Sequence, residues 1–150
     1  EIMPRNIWLN IHLKDSPETG VEIAKRLQKT GRLHQAFLAC DLETKAAAQS
    51  VVPELLVCNM ERQSEDSLYV AQTISNKADF IQLRKTPLEA LEPLLTDLHK
   101  NKINVNYFGT DDADKIKALL NAGVNFVLVN NPGPAMKVAG ELGIEPVAVK

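Results

Sequence analysis

Residues 7–14 alternate strictly between apolar and polar positions. Ile7, Leu9, Ile11 and Leu13 share one face of a strand, and Trp8, Asn10, His12 and Lys14 share the other. Five further short, mostly apolar runs read as strands: 35–40, 55–60, 79–84, 103–108 and 126–130. Helical spacing fills the intervals between them. Apolar strands separated by amphipathic helices are the pattern of a parallel sheet shielded by helices.

The helix signals are specific. Asp15-Ser16-Pro17-Glu18 is a helix start, followed by an apolar stripe at Val21, Ile23, Ala24 and Leu27 and a stop at Gly31. Asp41 is placed to cap a helix over 42–50. A third helix over 65–76 carries Leu68, Ala71 and Ile74 on one side. Thr86-Pro87 opens a longer one carrying Leu88, Leu91, Leu94, Leu95 and Leu98, in which Pro93 predicts either a kink or a later start. Gly109-Thr110-Asp111-Asp112 leads into a helix with Ile116, Leu119 and Leu120, closed by Gly123. Asn131-Pro132-Gly133-Pro134 turns into a last helix over 135–142, and 144–149 is a tail or a short strand. Six strand–helix units of this kind build either an open doubly wound sheet or part of a barrel. The standard (β/α)8 barrel has two more.

Composition narrows the function classes. The chain has 150 residues, 45% of them hydrophobic and 24% charged, which suits one globular domain. A formal net charge of -2, with no basic run, gives no reason to expect a nucleic-acid partner. No apolar run is long enough to span a membrane. Cys40 and Cys58 fall in expected strands without CxxC spacing and read as buried thiols. No leader segment is visible before the first strand, and the compartment is left open.

Alternation places polar residues near the carboxyl ends of the strands, where such folds carry their chemistry. The first strand sends Asn10, His12 and Lys14 inward, and the second sends Asp41 above Ala39 and Phe37. The third gives Asn59 above Leu55 and Val57, and the fourth Gln82 and Arg84. The fifth gives Asn104, Asn106 and Phe108, and the sixth Asn130 above Leu128. Two cations, Lys14 and Arg84, among several amides suit an anionic group, phosphate first. No glycine-rich phosphate loop is present. For each residue there is a plain alternative. Strand-end amides close turns or cap helices, and Arg84 pairs with a helix carboxylate. His34 and His99 read as surface residues. Asp15, Asp41 and Glu61 either bind a cation or, more commonly, cap helices.

Three stretches resemble the glycerophosphodiester phosphodiesterase family, a (β/α)8 phosphodiesterase family. Leu9-Asn10-Ile11-His12-Leu13-Lys14 is similar to its Leu-x-Ile-Glu-x-Lys strand. Ile103 to Asp111, Ile-Asn-Val-Asn-Tyr-Phe-Gly-Thr-Asp, is similar to its penultimate strand, which ends Trp-Thr-Val-Asn. Gly123 to Pro132, Gly-Val-Asn-Phe-Val-Leu-Val-Asn-Asn-Pro, is similar to its final Gly-Val-Asp-x-Ile-x-Thr-Asp-x-Pro. The resemblance implies a partial TIM barrel, a single domain over 1–150 corresponding to the family's third to eighth units.

It also implies roles. Lys14 takes the position of the lysine that contacts phosphate, and His12 the position of a metal-binding Glu, so the pair forms the catalytic candidates with His12 as the metal ligand. Arg84, Asn59, Asn106, Phe108 and Asn130 are the substrate-binding candidates. The family's Trp position carries Phe108, its following Asn is Asp111, and the Asp of its last strand is Asn130. A divalent metal, Mg or Ca, is the implied cofactor and a small phosphodiester the implied substrate. A histidine in place of the Glu weakens a hard-cation site.

The family's His-Arg-Gly start, its Glu-x-Asp metal motif and its second catalytic His do not occur in this sequence. The expectation is therefore a fragment or a degenerate relative, inactive alone. It is expected to form a homo-oligomer or to associate with the missing N-terminal units. Two readings compete with a metal-dependent phosphodiesterase. One is a phosphate-ester binding module without turnover. The other is a different phosphate-binding barrel enzyme, a sugar-phosphate isomerase or aldolase, using the Lys14 amine as nucleophile.

Overall fold

The computed structural model describes residues 3–145. The elements are β1 (Leu9–His12), α1 (Pro17–Lys29), β2 (Ala36–Cys40), α2 (Leu42–Val51), β3 (Leu56–Asn59), α3 (Asp66–Ser75), β4 (Phe80–Arg84), α4 (Leu88–Lys100), β5 (Asn104–Phe108), α5 (Ala113–Asn121), β6 (Phe126–Leu128) and α6 (Pro132–Glu141), with a 3-10 turn at Leu33–Gln35. Each strand is followed by a helix. This is the repeat of a TIM barrel carried through six units, a partial barrel-type α/β fold. The chain divides into two compact units, one up to Glu61 and one from Arg62.

In the first unit β1, β2 and β3 run parallel, with Leu9 opposite Ala36 and Phe37 opposite Leu56. Leu9, Ile11 and Leu13 turn to the helix side, as the alternation requires. There they join Ala36, Leu38, Cys40, Leu55 and Val57 against Ala24, Leu27 and Ala48. Burial of each large aliphatic side chain in this layer contributes roughly 1.5–3 kcal/mol. Gly20 lets α1 and α2 approach closely: a Cβ there would lie 2.5 Å from Thr44 Cγ2.

The lead-in to β1 is tied down by three long side chains. Gln35, fully buried, donates from Nε2 to the carbonyls of Pro4 and Ile7, each at 2.9 Å. Arg32 bridges the Gln35 Oε1 and the Met3 carbonyl, and Arg5 donates to the carbonyls of Thr30 and Gly31. The strand expected over 7–14 is accordingly shorter. Ile7 spends its carbonyl on Gln35, and at the other end Leu13 N still donates to the Ala39 carbonyl.

In the second unit β4, β5 and β6 are parallel, pairing Gln82 with Asn106 and Asn106 with Phe126. Ile81, Leu83, Val105 and Tyr107 pack toward the helices, against Leu91, Leu95, Leu98 and Leu119 among others. Phe80, Gln82, Arg84, Asn106, Phe108, Phe126 and Leu128 alternate onto the opposite face, where the Phe80 and Phe126 rings lie 6.0 Å apart.

Some expectations change. Helix α3 buries Tyr69, Val70 and Thr73, while Leu68 is 52% exposed and Ala71 is exposed. The stripe is shifted because Thr73 serves as an inner position: its hydroxyl donates to the Tyr69 carbonyl at 2.7 Å, so it buries without loss. Helix α4 starts at Leu88 and runs through Pro93, whose exposed site needs no room beside the core. Its buried positions are Leu91, Leu95 and Leu98, while Leu88 stays exposed. Leu55 and Val57, expected inward, belong to the helix-facing layer. Of the expected tail, residues 146–149 lie outside the described residues, and Ile144 is not in a strand.

Candidate functional site

The carboxyl ends of the first unit's strands are organised around helix starts. His12 ends β1 and Lys14 follows it, both exposed. Lys14 forms no ion pair among the described residues. Asp15 accepts from the Ser16 backbone N at 2.9 Å and from the Thr19 hydroxyl at 3.2 Å, closing the start of α1. Asp41 Oδ1 accepts from Thr44 N at 2.8 Å, and Glu61 Oε1 from Leu42 N at 3.1 Å, so two carboxylates serve the exposed N–H groups of α2. Asp41 and Glu61 thus cap α2, while Asp15 bonds to Ser16, the residue before α1, and to the Thr19 side chain.

Asn59 is fully buried, and its Oδ1 accepts from Glu61 N at 3.0 Å. It has the parity of Leu55 and Val57, which pack on the helices, so the inward direction expected for it is corrected. The inner positions of β3 are Leu56 and Cys58, and Cys58 lies in register with Ala39 and, beyond it, His12.

In the second unit Arg84 and Phe108 are in register at the carboxyl ends of β4 and β5, with Leu128 next in the row. Arg84 is exposed and forms no ion pair among the described residues, and Phe108 is 46% exposed. One step below lie Gln82 and Asn106, both buried. Asn130 sits beyond β6 and is held by Asp111. One carboxylate oxygen of Asp111 accepts from Asn130 N at 2.7 Å and Asn131 N at 3.0 Å, the other from Asn130 Nδ2 at 2.7 Å. The Asn130 side-chain bond, then the Asn131 backbone bond, hold the Asp111 carboxyl below its ordinary range.

Several of these arrangements were not foreseen. The Asp111 clamp had one signal: two adjacent acids precede α5, and only Asp112 is needed as its cap. Arg62 donates to the Gln82 carbonyl at 2.9 Å and lies over the Tyr69 ring. Thr86 donates its hydroxyl to Asp66 at 2.6 Å, and its carbonyl accepts from the Tyr107 hydroxyl. The hydrogen bonds among them join residues 20 or 21 positions apart, beyond the reach of local patterning.

The described residues do not fit a divalent metal. No group of three or more His, Cys, Asp and Glu side chains is placed to hold one, and the strand-end carboxylates near His12 serve backbone N–H groups. A hard cation takes six or more oxygen ligands, or fewer ligands with bound water, and needs carboxylates turned toward it.

No family model matches the chain, and no curated protein matches it. Solved structures do. A candidate glycerophosphoryl diester phosphodiesterase from Silicibacter pomeroyi DSS-3 superposes with a TM-score of 0.77 at 13% identity, over 93% of this chain and 52% of that one. A glycerophosphodiester phosphodiesterase from Agrobacterium tumefaciens str. C58 gives 0.70 at 16% identity, over 89% of this chain and 56% of that one. A 3-hexulose-6-phosphate synthase gives 0.60 at 15% identity, over 81% and 63%. The chain spans little more than half the length of the two phosphodiesterase structures. The likeness is one of fold, a phosphodiesterase-like partial barrel shared with other barrel enzymes.

Proposed function

We propose that this chain contributes phosphate-ester binding to a phosphodiesterase-like barrel, with Lys14 as the group that holds the phosphate. The carrying observation is the exposed Lys14, without an ion pair among the described residues, two residues beyond the carboxyl end of β1, the end of the strand at which barrel folds place their ligands. Its compact ammonium contributes charge without the fixed fork of an arginine. On the second unit Arg84, with the apolar Phe108 and the amides of Asn106 and Asn130, is proposed as substrate-binding. His12, two residues before Lys14, is proposed to donate to a phosphoryl oxygen or to accept from a hydroxyl of the ligand. Hydrolysis, by this proposal, needs metal-binding and acid–base groups beyond these residues, so no hydrolytic step is assigned to the chain.

The commitment of Asp15, Asp41 and Glu61 to helix starts favours a second reading: a binding module that holds phosphate esters with no metal dependence. Calorimetric titration of the chain with glycerol 3-phosphate, with and without EDTA, separates the two. Binding that Lys14→Ala weakens by about tenfold or more supports the proposed role. Binding that survives EDTA, with no release of alcohol from glycerophosphodiesters in added Mg or Ca, supports the module. No binding in either condition overturns both. Metal-dependent turnover removed by Lys14→Ala overturns the module alone.

A further inference from the structure

The turn after β4 holds one residue in a conformation that its side chain disfavours. Lys85 has φ 58°, in the left-handed region, which glycine enters freely and a residue with a Cβ does not. Lys77 and Lys102 share that conformation for an ordinary reason. Each follows the C-cap of a helix, α3 or α4, and donates its backbone N–H back to the last turn, to the Ile74 and His99 carbonyls. Lys85 follows a strand, so no helix end accounts for it.

The next residue is fastened on two sides. Thr86, 3% exposed, donates its hydroxyl to Asp66 at 2.6 Å, and its carbonyl accepts from the Tyr107 hydroxyl at 2.9 Å. Pro87 follows with φ -59°. Together they fix the turn. A disfavoured backbone that its surroundings enforce is a mark of a functional position.

The turn carries charge beside apolar surface. Arg84 and Lys85 are consecutive and exposed, and neither forms an ion pair among the described residues. In register with Arg84 stands the exposed Phe108, and in register with Phe108 the half-buried Leu128. With strands about 4.8 Å apart, the row from Arg84 to Leu128 is about 10 Å long. A ligand with its anionic head on the two cations would lay one ring across Phe108 and Leu128.

We infer that the second unit carries a site for an organic anion with an aromatic body, an aryl phosphate or aryl carboxylate, and that Lys85 is one of its binding residues. The turn keeps a lysine where glycine would be more stable. This gives the row of Arg84 and Phe108 a ligand group of its own and does not rest on the phosphate role of Lys14.

The test is calorimetric titration of the chain with phenyl phosphate and with inorganic phosphate, beside melting temperatures. Phenyl phosphate should bind the native chain about tenfold more tightly than inorganic phosphate, and Phe108→Ala should remove that advantage. Lys85→Gln removes the charge and keeps the backbone strained, so it should weaken phenyl phosphate by about fivefold at an unchanged melting temperature. Lys85→Gly should weaken it as much and melt about 2–4 °C higher. Lys85→Arg should bind as the native chain does. Binding that both Lys85→Gln and Lys85→Gly leave intact overturns the inference, as does a glycine variant that melts no higher. Equal affinity for the two phosphates, or no binding of either, also overturns it. If Lys14→Ala abolishes phenyl phosphate binding, the anion belongs to Lys14 and the second unit has no site of its own.

Discussion

Two titratable groups show how single residues respond to their surroundings. Burial, with the Asp41 carboxylate adding to it and Lys45 opposing it, pushes the Cys40 thiol up to about 12. The folded state therefore keeps a proton that the unfolded chain gives up near pH 8.5. Its contribution to stability is complete below that pH and is lost as pH rises toward 12. Urea denaturation between pH 8 and 10.5 should show a fall in stability that is shallower in Cys40→Ala. Native Cys40 should also resist alkylation at pH 8 until the chain unfolds. Asp111 behaves oppositely. Its carboxyl is lowered by the Asn130 side chain and the Asn131 and Asn130 backbone, so its contribution is present above the unfolded carboxylate range and lost as pH falls through the folded value. Asp111→Ala should speed hydrogen exchange at the amides of Asn130 and Asn131 with little effect on β4. Unchanged exchange there would show that the turn holds without the acid.

At the scale of elements, what was legible followed from local physics. Asp41 was readable as a cap because an N-cap needs only the right side chain one position before the helix, and it makes that bond at 2.8 Å. The inner faces of β4 and β5 were readable because each strand has one apolar and one mixed set. In β3 both sets are apolar up to Asn59, so alternation alone could not choose a face. The face of α3 was misassigned because Thr73 hides a polar hydroxyl against its own helix. Sequence also could not show that Gly20 is a contact point. An alanine usually favours a helix by about 1 kcal/mol over glycine, but here its Cβ would meet Thr44, itself buried. Gly20→Ala should therefore lower the urea midpoint by the equivalent of about 1–3 kcal/mol, and Gly20→Ala with Thr44→Ser should recover part of it. A higher midpoint in the single variant would show that α1 and α2 separate freely.

For the molecule as a whole, the order of strand–helix units was legible from spacing, since turn residues and caps punctuate the chain at each junction. The site was legible only in part. Arg84 and Phe108 could be placed because they end strands, and Lys14 because it follows one, whereas the bonds of Asp111 and Asn59 depend on loops that no periodicity describes. One feature of the first unit also has a meaning in time. Its strands pair in the order in which they are made, Leu9 with Ala36 and Phe37 with Leu56. Every ladder bond of β1, β2 and β3 to one another is available once Asn59 has been synthesised. At about 5–20 residues per second the rest of the second unit takes several seconds to follow, while small mixed α/β units fold in a time between about microseconds and about seconds. The first unit's strands can therefore be joined, and its apolar layer covered, while the second is still emerging from the ribosome.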